Sequence, residues 1–208
     1  MKVAVLSDIH GNFQALESVM EDIKSNNCEH VFCLGDLAMA GPQPNKVIEF
    51  VKNQTNWTVI QGNTDKMIAD FSPEILQNVK NNFPVMANAL ANDVVFIEKD
   101  KKEYLKNLPP QEQLTFEGVK ILLVHGSPRR NNEDILPDMP LNIIEEMLEG
   151  TNADLIFCGH THVPAGYQTN KKQTVVNVGS VGRPMTAEPK ACYVIAEIKD
   201  GGFSIEHR

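Results

Sequence analysis

Short apolar runs alternate with amphipathic stretches through the first sixty or so residues. "KVAVLS" (2–7), "HVFCLG" (30–35) and "WTVIQG" (57–62) are β-rich runs that end in polar or glycine-containing segments, which predicts three strands. Between the first two, Phe13, Leu16, Met20 and Ile23 recur at helical spacing behind Asn12, which reads as a helix N-cap. "NKVIEFVKN" (45–53) is the next helix. Helices between short apolar strands imply βαβ crossovers and a parallel sheet. From Lys66 to Pro110 the pattern changes: "PEILQNVKNNF" and "NDVVFIEKDKKEYLKNL" read as helices, with no clear strand. Strand signals return in "QLTFEG" and "VKILLVHG" (119–126), followed by a helix, "LNIIEEMLEG" (141–150), and a strand, "DLIFCG" (154–159). The last third, "GYQTNKKQTVVNVGS" and "ACYVIAEIKDGGFSIEHR", alternates like antiparallel hairpins, with Asp200-Gly201 as a turn. The pattern predicts one α/β domain over 1–208 with a helical insertion at about 66–110.

Composition narrows the setting. Hydrophobic residues at 42% and charged residues at 22% are ordinary for a water-soluble domain, and no apolar run approaches the length of a membrane span. Asp8 and His10 interrupt the N-terminal apolar run too early for a signal peptide, so the chain reads as cytoplasmic. Cys28, Cys33, Cys158 and Cys192 form no CxxC pair, which fits a reducing compartment rather than a disulfide framework. Nineteen Lys and Arg against 27 Asp and Glu give a net charge of −8, a poor balance for sequence-independent nucleic-acid binding. A protein this acidic that handles phosphate compounds needs local positive charge, and bound metal ions are one way to supply it.

Histidines and carboxylates gather at the strand ends. Asp8 and His10 follow the first run, Asp36 the second, and Asn63 and Asp65 the third; His125 ends "ILLVHG", and His160 and His162 follow "LIFCG". The carboxyl ends of strands in an open α/β sheet line one crevice, so donors far apart in sequence can meet there. Each residue alone has a plain explanation as a cap or a turn. Five such placements do not, because turn chemistry favours Gly, Asn, Asp and Ser but not His. Mixed imidazole and oxygen donors suit Mn, Fe, Zn, Co or Ni. Seven donors, with Asp65 set aside, are too many for one tetrahedral ion and about right for two ions roughly 3.5–4 Å apart that share a carboxylate.

The stretches "SDIHGN", "LGDLAMAGP", "QGNTD", "VHGSP" and "CGHTHVP" resemble, in order, the motifs of the calcineurin-like metallophosphoesterases, and "NVGSVGRP" is similar to the segment after the last ligand in their small bacterial and archaeal members. The resemblance implies a two-sheet β-sandwich flanked by helices. It implies one divalent metal held by Asp8, His10 and His162, a second held by Asn63, His125 and His160, and Asp36 bridging both, with Mn foremost among the candidate metals. It further implies a small phosphoester substrate attacked by a metal-bridging hydroxide, with Asp36, Asn63 and Asp65 as the catalytic residues, Asp65 by orienting its neighbours.

Thr64 departs from the pattern, since many family phosphatases have His there to help protonate the leaving group. A hydroxyl is far too weak an acid for that task, which favours a phosphodiesterase over a phosphomonoesterase or phosphoprotein phosphatase. Thr64, Arg129 and Arg183 are candidate substrate contacts. Some proteins of this fold have lost their ligands and serve as interaction scaffolds, but every ligand position here holds a competent donor.

Overall fold

In a computed structural model that describes residues 1–208, strand β1 (Lys2–Leu6) buries Val3 and Val5 on one face and Ala4 and Leu6 on the other. Two-sided burial is what makes a strand a continuous apolar run. Strand β2 (His30–Cys33) pairs parallel to β1, and β3 (Trp57–Val59) parallel to β2. On the other side β9 (Val194–Lys199) pairs antiparallel with β1, and β10 (Gly202–His207) folds back on β9. That hairpin turns where expected, with Asp200 and Gly201 at φ 52° and 75°, the left-handed pair such a turn needs. The first sheet runs β10-β9-β1-β2-β3.

The second sheet uses β4 (Gln111–Phe116), β5 (Val119–Val124), β6 (Leu155–Cys158), β7 (Ala165–Gln168) and β8 (Thr174–Asn177), in the order β4-β5-β6-β8-β7. Its centre, β5-β6-β8, is parallel and its edges are antiparallel. The sheets pack face to face through Val3, Val5, Phe32, Ile121, Leu123, Phe157 and Val176. Helices α1 (Phe13–Ser25), α2 (Pro44–Lys52), α3 (Asn63–Ala69), α4 (Pro73–Asn82), α5 (Pro84–Phe96) and α6 (Lys99–Asn107) share a core with the outer face of the first sheet, and α7 (Leu141–Met147) covers the second. The result is the expected two-sheet sandwich flanked by helices. No helix is long and apolar enough to cross a membrane.

Three details differ from the sequence expectations. Strand β3 stops at Val59 because the Gln61 N–H turns to the Pro109 carbonyl oxygen at 2.7 Å. The helical insertion starts at Asn63 rather than Lys66, since the Asp65 carboxylate accepts the Gly62 N–H at 3.1 Å and caps a new helix. The stretch read as one helix over 92–108 is two: Ile97 and Glu98 are extended, and buried Ile97 anchors the break.

Phe157 has no exposed surface and sits between the sheets. Phe157→Ala should lower unfolding free energy by about 3–5 kcal/mol, read as a shifted urea midpoint with an unchanged slope.

Candidate metal centre

The carboxyl ends of β1, β2, β5 and β6, with the N-terminus of α3 after β3, supply the polar residues that the sequence singles out. Asp8, His10, Asp36, His160 and His162 all adopt left-handed backbone angles, with φ between 47° and 69°. Non-glycine residues seldom do so, and a cluster of them marks a site where the fold imposes geometry on the side chains. The backbone also approaches closely. A Cβ on Gly62 would lie 2.0 Å from Asp36 Oδ1, and one on Gly159 would lie 2.6 Å from Asp8 Oδ2, so glycine is required at both.

Three imidazoles are oriented in one way. The Nδ1 of His125 contacts the Leu34 carbonyl oxygen at 2.7 Å, that of His10 the Met39 oxygen at 3.0 Å, and that of His162 the Arg183 oxygen at 2.8 Å. These acceptors assign the proton to Nδ1 and leave each Nε2 as a lone-pair donor aimed inward. The Nε2 atoms of His10 and His162 stand 3.1 Å apart. Asp8 Oδ1 lies 3.2 Å from His162 Nε2, 3.7 Å from His10 Nε2 and 3.9 Å from His125 Nε2, yet it is buried with no hydrogen-bond partner. Asp36 Oδ2 lies 3.7 Å from His10 Nε2 and 3.4 Å from His125 Nε2. Two sets of atoms have ligand spacing: Asp8, His10 and His162, and Asp8, Asp36 and His125. Lone pairs facing one another in a buried space need positive charge between them, so these residues fit divalent cations.

Electrostatics agree. Burial pushes the Asp8 carboxyl up, but the charge of His125 and the facing His10 and His162 rings outweigh it and hold the group well below the usual range. Asp36 is also lowered, against burial, chiefly by His125. Burial would lower His125, but the charges of Asp36 and Asp8 raise it to about 10.

The remaining residues sort by contact. Asn63 Oδ1 meets His125 Nε2 at 2.9 Å and joins the second group. His160 stands outside both groups: its Nε2 turns to Asp134 Oδ1 at 3.3 Å while its ring packs edge-on against His125. Asp65 does not face the cluster. Its oxygens accept N–H bonds from Gly62, Asp36 and Leu37, and burial, then the charge of Asp36, pushes its pKa up to about 7. Thr64 is turned away as well. It is buried, and its hydroxyl donates to the Ala38 carbonyl oxygen at 3.1 Å, so it is not presented to a substrate. The Arg129 guanidinium is engaged by Glu133 and Glu146. Arg183 contributes its carbonyl to His162, and its guanidinium lies 3.9 Å from Met86 Sδ.

Two supporting residues were not anticipated. Asp93 of α5 accepts the Met39 N–H at 2.9 Å, and Met39 in turn orients His10. Its sequence signal is an acid in line with buried Ala87 and Leu90 on one helix face. Asn177, at the end of β8, donates to the Gly159 carbonyl oxygen and the Thr161 hydroxyl and braces the loop of His160 and His162.

Comparison with known proteins gives the chain a family and a fold. Residues 1–201 match the model of the calcineurin-like phosphoesterase superfamily domain. The chain is 30% identical to an uncharacterised protein, MJ0912, of Methanocaldococcus jannaschii, over 98% of this chain and 85% of that one. It is 24% identical to phosphodiesterase YfcE of Escherichia coli K12, over 91% of this chain and 84% of that protein. The crystal structure of hypothetical protein PH1004 from Pyrococcus horikoshii superposes with a TM-score of 0.87 at 26% identity, covering 100% of this chain and 86% of the other.

Two outcomes follow from the geometry. A divalent ion entering the cluster displaces the proton that His125 holds below pH 10, so Mn²⁺ affinity should fall roughly tenfold per pH unit on acidification from pH 9 to 7. Calorimetry at pH 7 in buffers of different ionisation enthalpy should report release of about one proton per binding event. Asp93→Ala should weaken Mn²⁺ binding about 10–100-fold, measured by titration, with Asp93→Asn keeping most of the affinity because an amide oxygen still accepts the Met39 N–H.

Proposed function

We propose that this chain, which belongs to the calcineurin-like phosphoesterase superfamily, is a metal-dependent hydrolase of small phosphodiesters that works with two divalent ions, Mn²⁺ foremost and Fe, Zn, Ni or Co as alternatives. One observation carries the reading: buried Asp8 and Asp36 carboxylate oxygens and three imidazole Nε2 atoms converge at ligand spacing, and Asp8 Oδ1 among them has no hydrogen-bond partner. The donors fall into two groups rather than one, and Asp36 Oδ2 lies within 3.7 Å of a ring from each, which supports two ions with a carboxylate between them. Bound there, divalent ions lower the pKa of coordinated water and neutralise charge on a phosphoryl group.

The chain's own residues position the reaction. Asp8, His10 and His162 would hold one ion, and His125, Asn63 and Asp36 the other. Asp36 Oδ1 is fixed by the Thr64 N–H at 2.8 Å, which leaves Oδ2 between His10 and His125 as the shared carboxylate. With its Nε2 occupied by Asp134, His160 has only Nδ1 left for an ion. Asp65 holds the Asp36 and Leu37 amides and so sets where the Asp36 carboxylate points.

Support for a diester substrate is chemical. The hydroxyl of Thr64 is committed to Ala38 and is too weak an acid to protonate a leaving oxygen. Phosphoesters with good leaving groups are then favoured, in keeping with the phosphodiesterase activity in the name of the E. coli relative.

The purified full chain with Mn²⁺ should hydrolyse bis(4-nitrophenyl) phosphate with a higher kcat/KM than 4-nitrophenyl phosphate. Asp36→Asn should lower that kcat/KM by about a hundredfold or more. A monoester rate equal to the diester rate would remove the diester preference. Absence of both bound metal and metal-stimulated hydrolysis would remove the hydrolase reading.

A further inference from the structure

Beside the metal centre, between the loop after β5 and the start of α3, lies a hollow of about 360 Å³. Its ten lining residues include three cations, Lys66, Arg129 and Arg130, and no carboxylate. Apart from two prolines, none is apolar. In a chain of net charge −8 such a lining is a local reversal of sign. His125 is common to the hollow and the cluster: it lines the one and points Nε2 toward Asp36 in the other.

The cations are held in place from behind. Glu133 accepts from Arg129 Nε at 2.8 Å and from Arg130 Nη2 at 3.0 Å, which fixes both guanidinium groups with one carboxylate. Glu146 takes Arg129 Nη1, and Asp70 takes the Lys66 ammonium at 2.8 Å. The six charges cancel (3 − 3 = 0), but they are arranged as a layer. The three cations line the hollow, whereas Glu133, Glu146 and Asp70 do not. Arg130 commits only Nη2 and keeps the rest of its fork for another acceptor. A guanidinium fork matches the paired oxygens of a phosphate as well as those of a carboxylate, and beside a phosphoesterase centre a phosphate is the anion a substrate brings.

We propose that this hollow seats a second phosphate group of the substrate. The reacting phosphoester then carries a further phosphate on a polar, polyhydroxylated framework. A nucleobase or an acyl chain would find no apolar surface against which to stack or bury here. This rests on the hydrolase reading above, and it adds a substrate class to it.

Two probes with one framework test the idea: D-fructose 1,6-bisphosphate and D-fructose 6-phosphate, each titrated by calorimetry into the Mn²⁺-loaded full chain. The bisphosphate should bind about tenfold more tightly, as an added charge-assisted contact provides. Lys66→Ala and Arg130→Ala should each shrink that advantage severalfold, and the double variant should remove it. Both side chains are exposed, so their truncation leaves the core intact. Lys80→Ala, on the exposed face of α4, should leave the advantage unchanged. Equal binding of the two probes, or an advantage that survives the double variant, overturns the second-phosphate site. Hydrolysis of bis(4-nitrophenyl) phosphate is measured on the same preparations. If it is present while the advantage is absent, only the second-phosphate site falls. If it is absent while the advantage is present, the hydrolase reading falls and the anion site stands.

Discussion

Lone pairs that face one another in a buried space set the terms for this protein. Asp8 Oδ1 has three imidazole nitrogens within 3.9 Å and no hydrogen-bond partner, and Asp36 Oδ2 lies between two of the same rings. Desolvation alone would neutralise such carboxylates by raising their pKa values. Here both are instead held low, because histidines aimed by their far nitrogens offer compensating charge. Each ring is locked by a backbone carbonyl oxygen, so none can turn away to relieve the crowding. A cation placed among them would satisfy these atoms together.

Much of the fold serves that constraint. Parallel strands β1 to β3 and β5 with β6 bring loop residues from both sheets to one rim of the sandwich. The left-handed angles at Asp8, His10, Asp36, His160 and His162 are strained individually and persist because the surroundings fix them. Asp65 holds the loop after β2 from α3, Asp93 holds the same loop from α5, and Asn177 braces the loop after β6. The helical insertion is therefore part of the support for the centre as well as a cover for the outer face of the first sheet.

The sandwich core and the donor positions were legible in the sequence because both rest on local signals. Buried parallel strands such as "KVAVL" and "LIFC" read as apolar runs, and histidine at strand ends stands out against ordinary turn chemistry. What stayed hidden depends on partners distant in the chain. Thr64 reads as a residue open to the site until Ala38 is seen to take its hydroxyl, and His160 reads as an inward ligand until Asp134 draws its Nε2. The break at Ile97 has no proline or glycine to announce it, and the early start of α3 comes from a cap made by Asp65. Asp93 was the nearest to being readable, since an acid in line with Ala87 and Leu90 has to be compensated from within the fold.

Asp65 shows how ion binding and folding are linked. It is fully buried beside Asp36, and burial together with that neighbouring charge raises its pKa to about 7. Without cations, the pair Asp36–Asp65 is a like-charge contact that one proton relieves near neutral pH. Cations at the cluster would offset the charge of Asp36, favour ionised Asp65, and thereby strengthen its bonds to the amides of Gly62, Asp36 and Leu37. Those amides set the direction of the Asp36 carboxylate. Occupancy of the centre and order in the loop that forms it would therefore reinforce each other, and the binding free energy of the ions would become part of the stability of the fold.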